Sequence, residues 1–357
     1  MKMLFDCKNH QQRLDYKNKF DGNLVFGGKE FHKKTERSAP DMPASGSIHQ
    51  EQLDVVAETA PREFSRQEQF FESVEACPVC DSENKIFVLN RYGLDFYECV
   101  DCTHCFMSPR LKFKKLCELY AKDNTSSRIY KSDAQAKLDF IKALYGLELL
   151  KQVGGVSCNR ILDFGCGSGT FLKVAFDQGW RYCIGIDPNP NYSECYVDVP
   201  GVHFISSTFE DLNPEIISSN YDAITMWNVL EHLYDMQSIL IKLKTMLVAD
   251  GVIFIMVPNF RSLATQIIRD RSATFNWKHV SHFTPESLKL LMERAGFETI
   301  FLETVISEID NIKSALHGQW PYSGFGDPNG VFDAITPEFL HRNLLGSRLL
   351  GIFRNAS

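Results

Sequence analysis

The sequence lacks any apolar run long enough to cross a bilayer. A membrane helix needs roughly 18 or more predominantly apolar residues, and the longest candidate, Val252 to Val257, has only strand length. The opening stretch, MKMLFDCKNHQQRLDYKNK, has no apolar core of the kind a secretory signal carries, so a cytoplasmic location is expected. An excess of positive charge is also missing. Lys and Arg total 38 against 45 for Asp and Glu, a formal charge of −7, which offers no overall attraction to nucleic acid or to an anionic membrane surface. With 44% hydrophobic and 23% charged residues over 357 positions, the chain is neither disordered nor fibrous, and it has length for two or three domains.

Cysteine, by contrast, is abundant and unevenly spread. Five of the eleven (Cys77, Cys80, Cys99, Cys102 and Cys105) fall within 29 positions, a density that points to a metal rather than to disulfides. Cys77-x2-Cys80, eighteen residues, then Cys99-x2-Cys102 matches a four-cysteine zinc site, because each CxxC turn aims two thiolates at one point. Asp81 and Thr103 follow the two pairs, where a tight turn favours glycine. Cys105 is left open as a rival ligand.

Composition divides the chain into an arm over residues 1–72, in part disordered, a zinc-ribbon module over 73–110, a helical bridge over 111–158, and a last domain over 159–357. From residue 160 onward short β-rich runs alternate with helical windows. Strands are predicted at 160–164, 182–187, 202–205, 221–227, 251–257 and 298–304, with helices at 169–178, 235–247 and 285–295 and a final apolar run at 344–353. Such alternation predicts an α/β fold with a mainly parallel sheet and helices on both faces.

Arg160-Ile-Leu-Asp-Phe-Gly-Cys-Gly-Ser-Gly-Thr170 is a strand, a glycine loop and a helix start, where a ligand can lie against bare backbone. A dinucleotide fingerprint would place Gly at residue 170 and would not favour the carboxylate of Asp163, which suits a cationic ligand better. The next strand ends in Gly185-Ile-Asp187, an acid placed to accept bonds from ribose hydroxyls. These features, with Thr208-Phe-Glu-Asp-Leu212, Tyr221-Asp-Ala-Ile-Thr-Met-Trp-Asn-Val-Leu-Glu-His232 and Gly251-Val-Ile-Phe-Ile-Met-Val-Pro-Asn259, resemble the class I S-adenosylmethionine-dependent methyltransferases over residues 160 to 304. The resemblance implies a Rossmann-like sheet preceded by the small zinc ribbon. It also implies that Gly165, Cys166 and Gly167 approach the methionine part, that Asp187 holds the ribose, that Thr208 and Phe209 flank the adenine, and that Trp227 and Asn228 lie near the sulfonium. Glu231 and His232 are read as anchors of the helix that follows.

His279-Val-Ser-His282 precedes a helix with Thr284 as N-cap and Pro285 at its first position. Together with Gly296-Phe297 and with Phe106-x-x-Pro-Arg110 after the cysteine pairs, it resembles a ribbon-bearing methyltransferase subgroup tied to sugars of polysaccharides and natural products. The resemblance implies a small hydroxylated acceptor such as a nucleotide sugar, and methylation on oxygen is expected ahead of carbon or nitrogen. His279, then His282, are the candidate bases. The Gly-, Pro- and aromatic-rich stretch within 305–343 reads as a lid or a dimer contact. Two rival readings are an RNA methyltransferase that uses its ribbon on RNA, which the acidic balance argues against, and a non-catalytic cofactor-binding scaffold, against which Asp163, Gly165, Gly167 and Asp187 speak.

Overall fold

The computed structural model of the chain describes residues 13, 17, 68–91, 93–122, 133–196, 199–208, 220–309, 312 and 335–355. Phe209, most of the 1–72 arm and residues 313–334 of the expected lid lie outside them.

Two antiparallel sheets open the fold. Strands β1 (Phe71–Glu72) and β5 (Arg110–Leu111) pair with each other, and β2 (Lys85–Arg91), β3 (Leu94–Cys99) and β4 (Cys105–Met107) form the ribbon sheet. Helix α1 (Phe113–Lys122) follows, and then the twenty-residue α2 (Asp133–Gln152). The main sheet is built from β6 (Arg160–Phe164), β7 (Tyr182–Asp187), β8 (Val202–Ser206), β9 (Tyr221–Trp227), β10 (Leu247–Pro258), β12 (Phe297–Val305) and β13 (Arg348–Asn355). The short β11 (Ser281–His282) lies elsewhere. The remaining helices are α3 (Thr170–Asp177), α4 (Met236–Thr245), α5 (Leu263–Ile268), α6 (Pro285–Arg294) and α7 (Pro337–Arg342).

The strand order is β12-β13-β10-β9-β6-β7-β8. The ladders linking β8, β7, β6, β9 and β10 are parallel, and β13 runs antiparallel to both of its neighbours. This is the mainly parallel sheet expected from the alternating pattern, with β13 as its antiparallel member. Tyr221 to Met226 of β9 are all buried, as an apolar strand covered on both faces requires. The chain leaves β6 toward β7 and β8, then returns to β9 on the other side, so β6 and β9 enclose a topological switch point. Ligands of open α/β sheets bind outside the carboxyl ends of the strands at such a point.

Helices α2 and α3 cover one face through Tyr145, Leu149, Phe171 and Leu172. The helix read from sequence as part of a bridge therefore lies on the sheet. Its Tyr145 hydroxyl donates to Glu303 of β12, and Lys17, one of the described arm residues, pairs with the same carboxylate at 2.5 Å. On the opposite face α4 and α6 pack through Leu240, Leu243, Leu288 and Leu291, and that core also takes in Cys77, Val79, Phe106 and Phe283. The ribbon thus shares a core with the main sheet. Strand β11 pairs with β4, Thr103 Oγ1 meets Thr284 Oγ1 at 2.7 Å, and Arg294 pairs with Asp81. These contacts clamp the loop that carries both predicted histidines onto the ribbon. Thr284 caps α6 through a reciprocal pair of bonds with Ser287, the capping box that satisfies otherwise orphaned backbone donors.

Candidate functional site

The loop after β6 is shaped by glycine. Gly165, Gly167 and Gly169 have φ of 78°, 49° and 75°, a left-handed region that side chains with a Cβ enter at a cost. A Cβ on Gly165 would lie 2.4 Å from Val229 Cγ2, which ties the loop to the segment after β9. Among the described residues, one on Gly167 would meet nothing closer than Tyr192 at 4.0 Å, so its backbone faces room for a ligand. The first turn of α3 begins at Gly169 with no side-chain cap, and its backbone donors open toward this loop.

Two carboxylates border the loop. Asp187, at the end of β7, accepts from the Gly167 amide at 3.1 Å and from the Asn189 amide at 2.9 Å. Burial raises its pKa, partly offset by those two bonds. Asp163 is buried and accepts from Thr225 Oγ1 at 2.7 Å. Its burial, opposed by that bond and reinforced by the Asp187 charge, pushes its pKa up to about 7. A cation beside this pair would restore its charge, which suits a sulfonium and an ammonium better than a pyrophosphate.

Other residues singled out from sequence divide. Asn228 stands at the carboxyl end of β9 with φ 54° and a buried Oδ1 that has no hydrogen-bond partner among the described residues, a strained and unsatisfied group of the kind that clusters at ligand sites. Thr208 follows β8, at the same edge of the sheet. The Trp227 ring instead packs among Phe171, Phe254 and Gly146, on the α2 side. Cys166 turns its thiol inward against Gly185, so only its backbone borders the loop.

The four predicted zinc ligands converge. Their sulfurs lie within 4.8 Å of one another, with Cys77 to Cys102 at 3.4 Å and Cys80 to Cys99 at 3.5 Å. Tetrahedral zinc at about 2.3 Å from each thiolate sets sulfurs about 3.8 Å apart, so the donor set fits that ion. A hydrogen bond from Cys102 draws the Cys77 thiol down, and the same bond with burial pushes Cys102 up. Asp81 and Thr103 both have φ of 63° and donate to the Cys77 and Cys99 carbonyls. The turns that favour glycine are made here without it. Cys105 lies apart, in a separate apolar cluster with Phe96 and Met107.

The histidine loop reaches back to the segment after β9. His279 is half-buried, and its Nδ1 lies 2.8 Å from the Thr274 carbonyl. His232 places its own Nδ1 2.9 Å from the Lys278 carbonyl. A carbonyl only accepts, so each Nδ1 carries the proton and each Nε2 presents a lone pair. The rings meet edge to face at 4.8 Å. Burial is the main cause that keeps both uncharged, His279 well below the usual range and His232 down to about 4. His282, 1% exposed, sits between the Phe96 and Phe275 rings and so is set back from His279. Glu231 was not expected to face these histidines. It is 1% exposed, neither carboxylate oxygen has a hydrogen-bond partner among the described residues, and burial raises its pKa to about 8. An acid and a histidine just past the carboxyl end of a central strand were the available signal.

Residues 130–302 match the family model described as a methyltransferase domain. Among curated proteins, a tRNA U34 carboxymethyltransferase of Pseudomonas fluorescens is 26% identical over 182 residues, 48% of this chain and 56% of that one. A ubiquinone biosynthesis O-methyltransferase of Haemophilus ducreyi is 29% identical over 116 residues, 30% and 49% of the two chains. The chain spans about half the length of these curated relatives. Among solved structures, the 1,6-didemethyltoxoflavin-N1-methyltransferase of Burkholderia thailandensis aligns with a TM-score of 0.46 at 16% identity, covering 72% of this chain and 98% of that one. No helix among the described residues is long and apolar enough to cross a membrane.

Proposed function

We propose that the protein transfers a methyl group from S-adenosylmethionine to an oxygen of a small, hydroxylated, sugar-like acceptor, with zinc in the ribbon as a structural ion. The observation that carries this reading is the meeting of the bare Gly167 backbone with Asp163 and Asp187 at the switch point of the sheet. The cofactor supplies an electrophilic methyl on a cationic sulfur. On this reading Asp187 serves the ribose hydroxyls, Asp163 serves the positive end of the cofactor, and Asn228 offers its amide oxygen at the carboxyl end of β9.

On the acceptor side the proton of the reacting hydroxyl must leave. His279, uncharged with its Nε2 lone pair presented, takes or directs that proton, and His282 supports it from behind. A histidine with so low a pKa is a weak base, so alignment of acceptor and methyl carries most of the rate. The ribbon fixes the His279 loop through β4 and Thr103, which gives the zinc module a part in placing the acceptor.

A tRNA acceptor is the second reading. The relatives named for tRNA modification favour it, and the acidic charge balance alone does not exclude it. Incubation with isotopically labelled S-adenosylmethionine and a panel of nucleotide sugars, read by mass spectrometry, tests the first reading. A labelled nucleotide sugar is the expected result. Label on tRNA with none on any sugar would replace the acceptor, and no binding of S-adenosylhomocysteine would overturn the activity itself.

A further inference from the structure

Glu231 calls for an explanation that proton transfer by His279 does not supply. A carboxyl buried to 1% exposure with both oxygens unpartnered is a costly arrangement. Native structures keep such groups where something else completes them. Two histidine rings stand close to it. Glu231, His232 and His279 each bring one ligand atom within 4.8 Å of the others, and Glu231 Oε1 lies 3.9 Å from His232 Nε2. Two ligands of one tetrahedral ion at about 2.1 Å stand about 3.4 Å apart, so a small side-chain shift closes the set.

The surroundings have the form that metal-binding histidines require. A ligating imidazole usually donates its other N–H to a carbonyl or carboxylate, which fixes tautomer and orientation. Both rings do so here, through Lys278 and Thr274. Two imidazoles and one carboxylate that leave positions open form the donor set of divalent first-row metals in catalytic rather than structural sites. The segment carrying Glu231 and His232 begins at Val229, against Gly165 of the glycine loop, so two of the three groups follow within three residues of a contact with that loop.

We propose that Glu231, His232 and His279 bind one divalent transition-metal ion whose open positions take an oxygen of the acceptor. The inference rests on the methyltransferase reading only for that last ligand; the three protein ligands stand without it. In the reaction the ion polarises the acceptor hydroxyl, whose O–H proton leaves to solvent water. The oxygen lone pair forms the new C–O bond as the C–S bond breaks, and its electron pair stays on sulfur as a neutral thioether. With its Nε2 given to the ion, His279 is a ligand in place of the base described above, which removes the difficulty that a low-pKa histidine is a weak base for a sugar hydroxyl.

The test uses the whole protein with its ribbon zinc in place, titrated with Co2+ and with Mn2+. Visible absorption reads the first, because nitrogen and oxygen ligation of Co2+ differs from the intense thiolate bands that displacement of ribbon zinc would produce. Electron paramagnetic resonance reads free Mn2+. One ion per chain is expected for wild type. Glu231→Gln and His279→Ala should each weaken binding at least tenfold while S-adenosylhomocysteine affinity and zinc content stay unchanged. His279→Ala, at a half-buried position, keeps the test available if the buried Glu231→Gln variant fails to fold. Absence of a second ion in wild type, or binding unaltered in both variants, overturns the site. Metal binding that persists in a protein unable to bind S-adenosylhomocysteine overturns the methyltransferase reading and leaves the metal site standing.

Discussion

The Cys77, Cys80, Cys99 and Cys102 cluster and the Glu231, His232 and His279 cluster are both groups of potential ligands on one chain, and they differ in every respect that separates a structural centre from a reactive one. The first is closed. Four sulfurs from two neighbouring turns surround one point, and three of the four are buried. The second is open, with three groups drawn from two loops about fifty residues apart and two of them half-buried. A closed thiolate set stabilises a small module that lacks its own core, whereas an open nitrogen and oxygen set leaves a position for substrate. On the proposed reading, the ribbon stabilises the platform and the histidine loop on it carries the chemistry.

Paired substitutions can break that comparison. His279→Ala should lower turnover by about 10² to 10⁴-fold while melting temperature and zinc content stay near wild type; full retained rate would remove His279 from the site. Cys99→Ala should act on stability first. Loss of zinc, measured by metal analysis, should accompany a fall in melting temperature of more than about 5 °C, because the ion contributes folding free energy to the shared core. A stable, zinc-replete Cys99→Ala protein would dissolve the four-ligand assignment.

A smaller effect separates the cofactor loop from both clusters. Asp163 has its folded pKa raised to about 7, chiefly by burial. The raised value means that this group leaves stability intact below the ordinary carboxylate range and reduces it as pH climbs from about 4 to about 7. A cationic ligand favours the ionised form, so binding releases a proton and affinity should rise about tenfold between pH 6 and 8. Calorimetry in buffers of different ionisation enthalpy would detect that proton, and Asp163→Asn should flatten the profile. Smallest of all is Cys166→Ala. With its thiol turned against Gly185, it should change cofactor affinity by less than about threefold, and a larger loss by calorimetry would place the side chain in the site.

Local signals were legible in the sequence and assembled ones were not. The predicted strands at 160–164, 182–187 and 221–227 match β6, β7 and β9 residue for residue, since an apolar run bounded by turn residues leaves few alternatives. The paired CxxC spacing likewise encodes its own convergence. Trp227 could not be placed from sequence, because strand alternation decides which face takes the ring, and here that face is the α2 core. The pairing of β11 with β4 joins residues about 175 apart, and no local pattern announces it. Glu231 beside His279 depends on that same docking. Its neighbours suggested a helix anchor, and only the assembled loop reveals a buried carboxylate facing two imidazoles.

The most direct test of the account is calorimetric titration of S-adenosylhomocysteine into wild-type protein and into Gly167→Asp. At residue 167 a side chain meets no close neighbour among the described residues, and aspartate tolerates a left-handed backbone better than most residues, so the variant should fold and yet block the loop with bulk and negative charge. The account predicts one molecule bound per wild-type chain and at least hundredfold weaker binding to the variant. Wild-type protein that bound NAD and not S-adenosylhomocysteine, or a variant that bound as tightly as wild type, would contradict it.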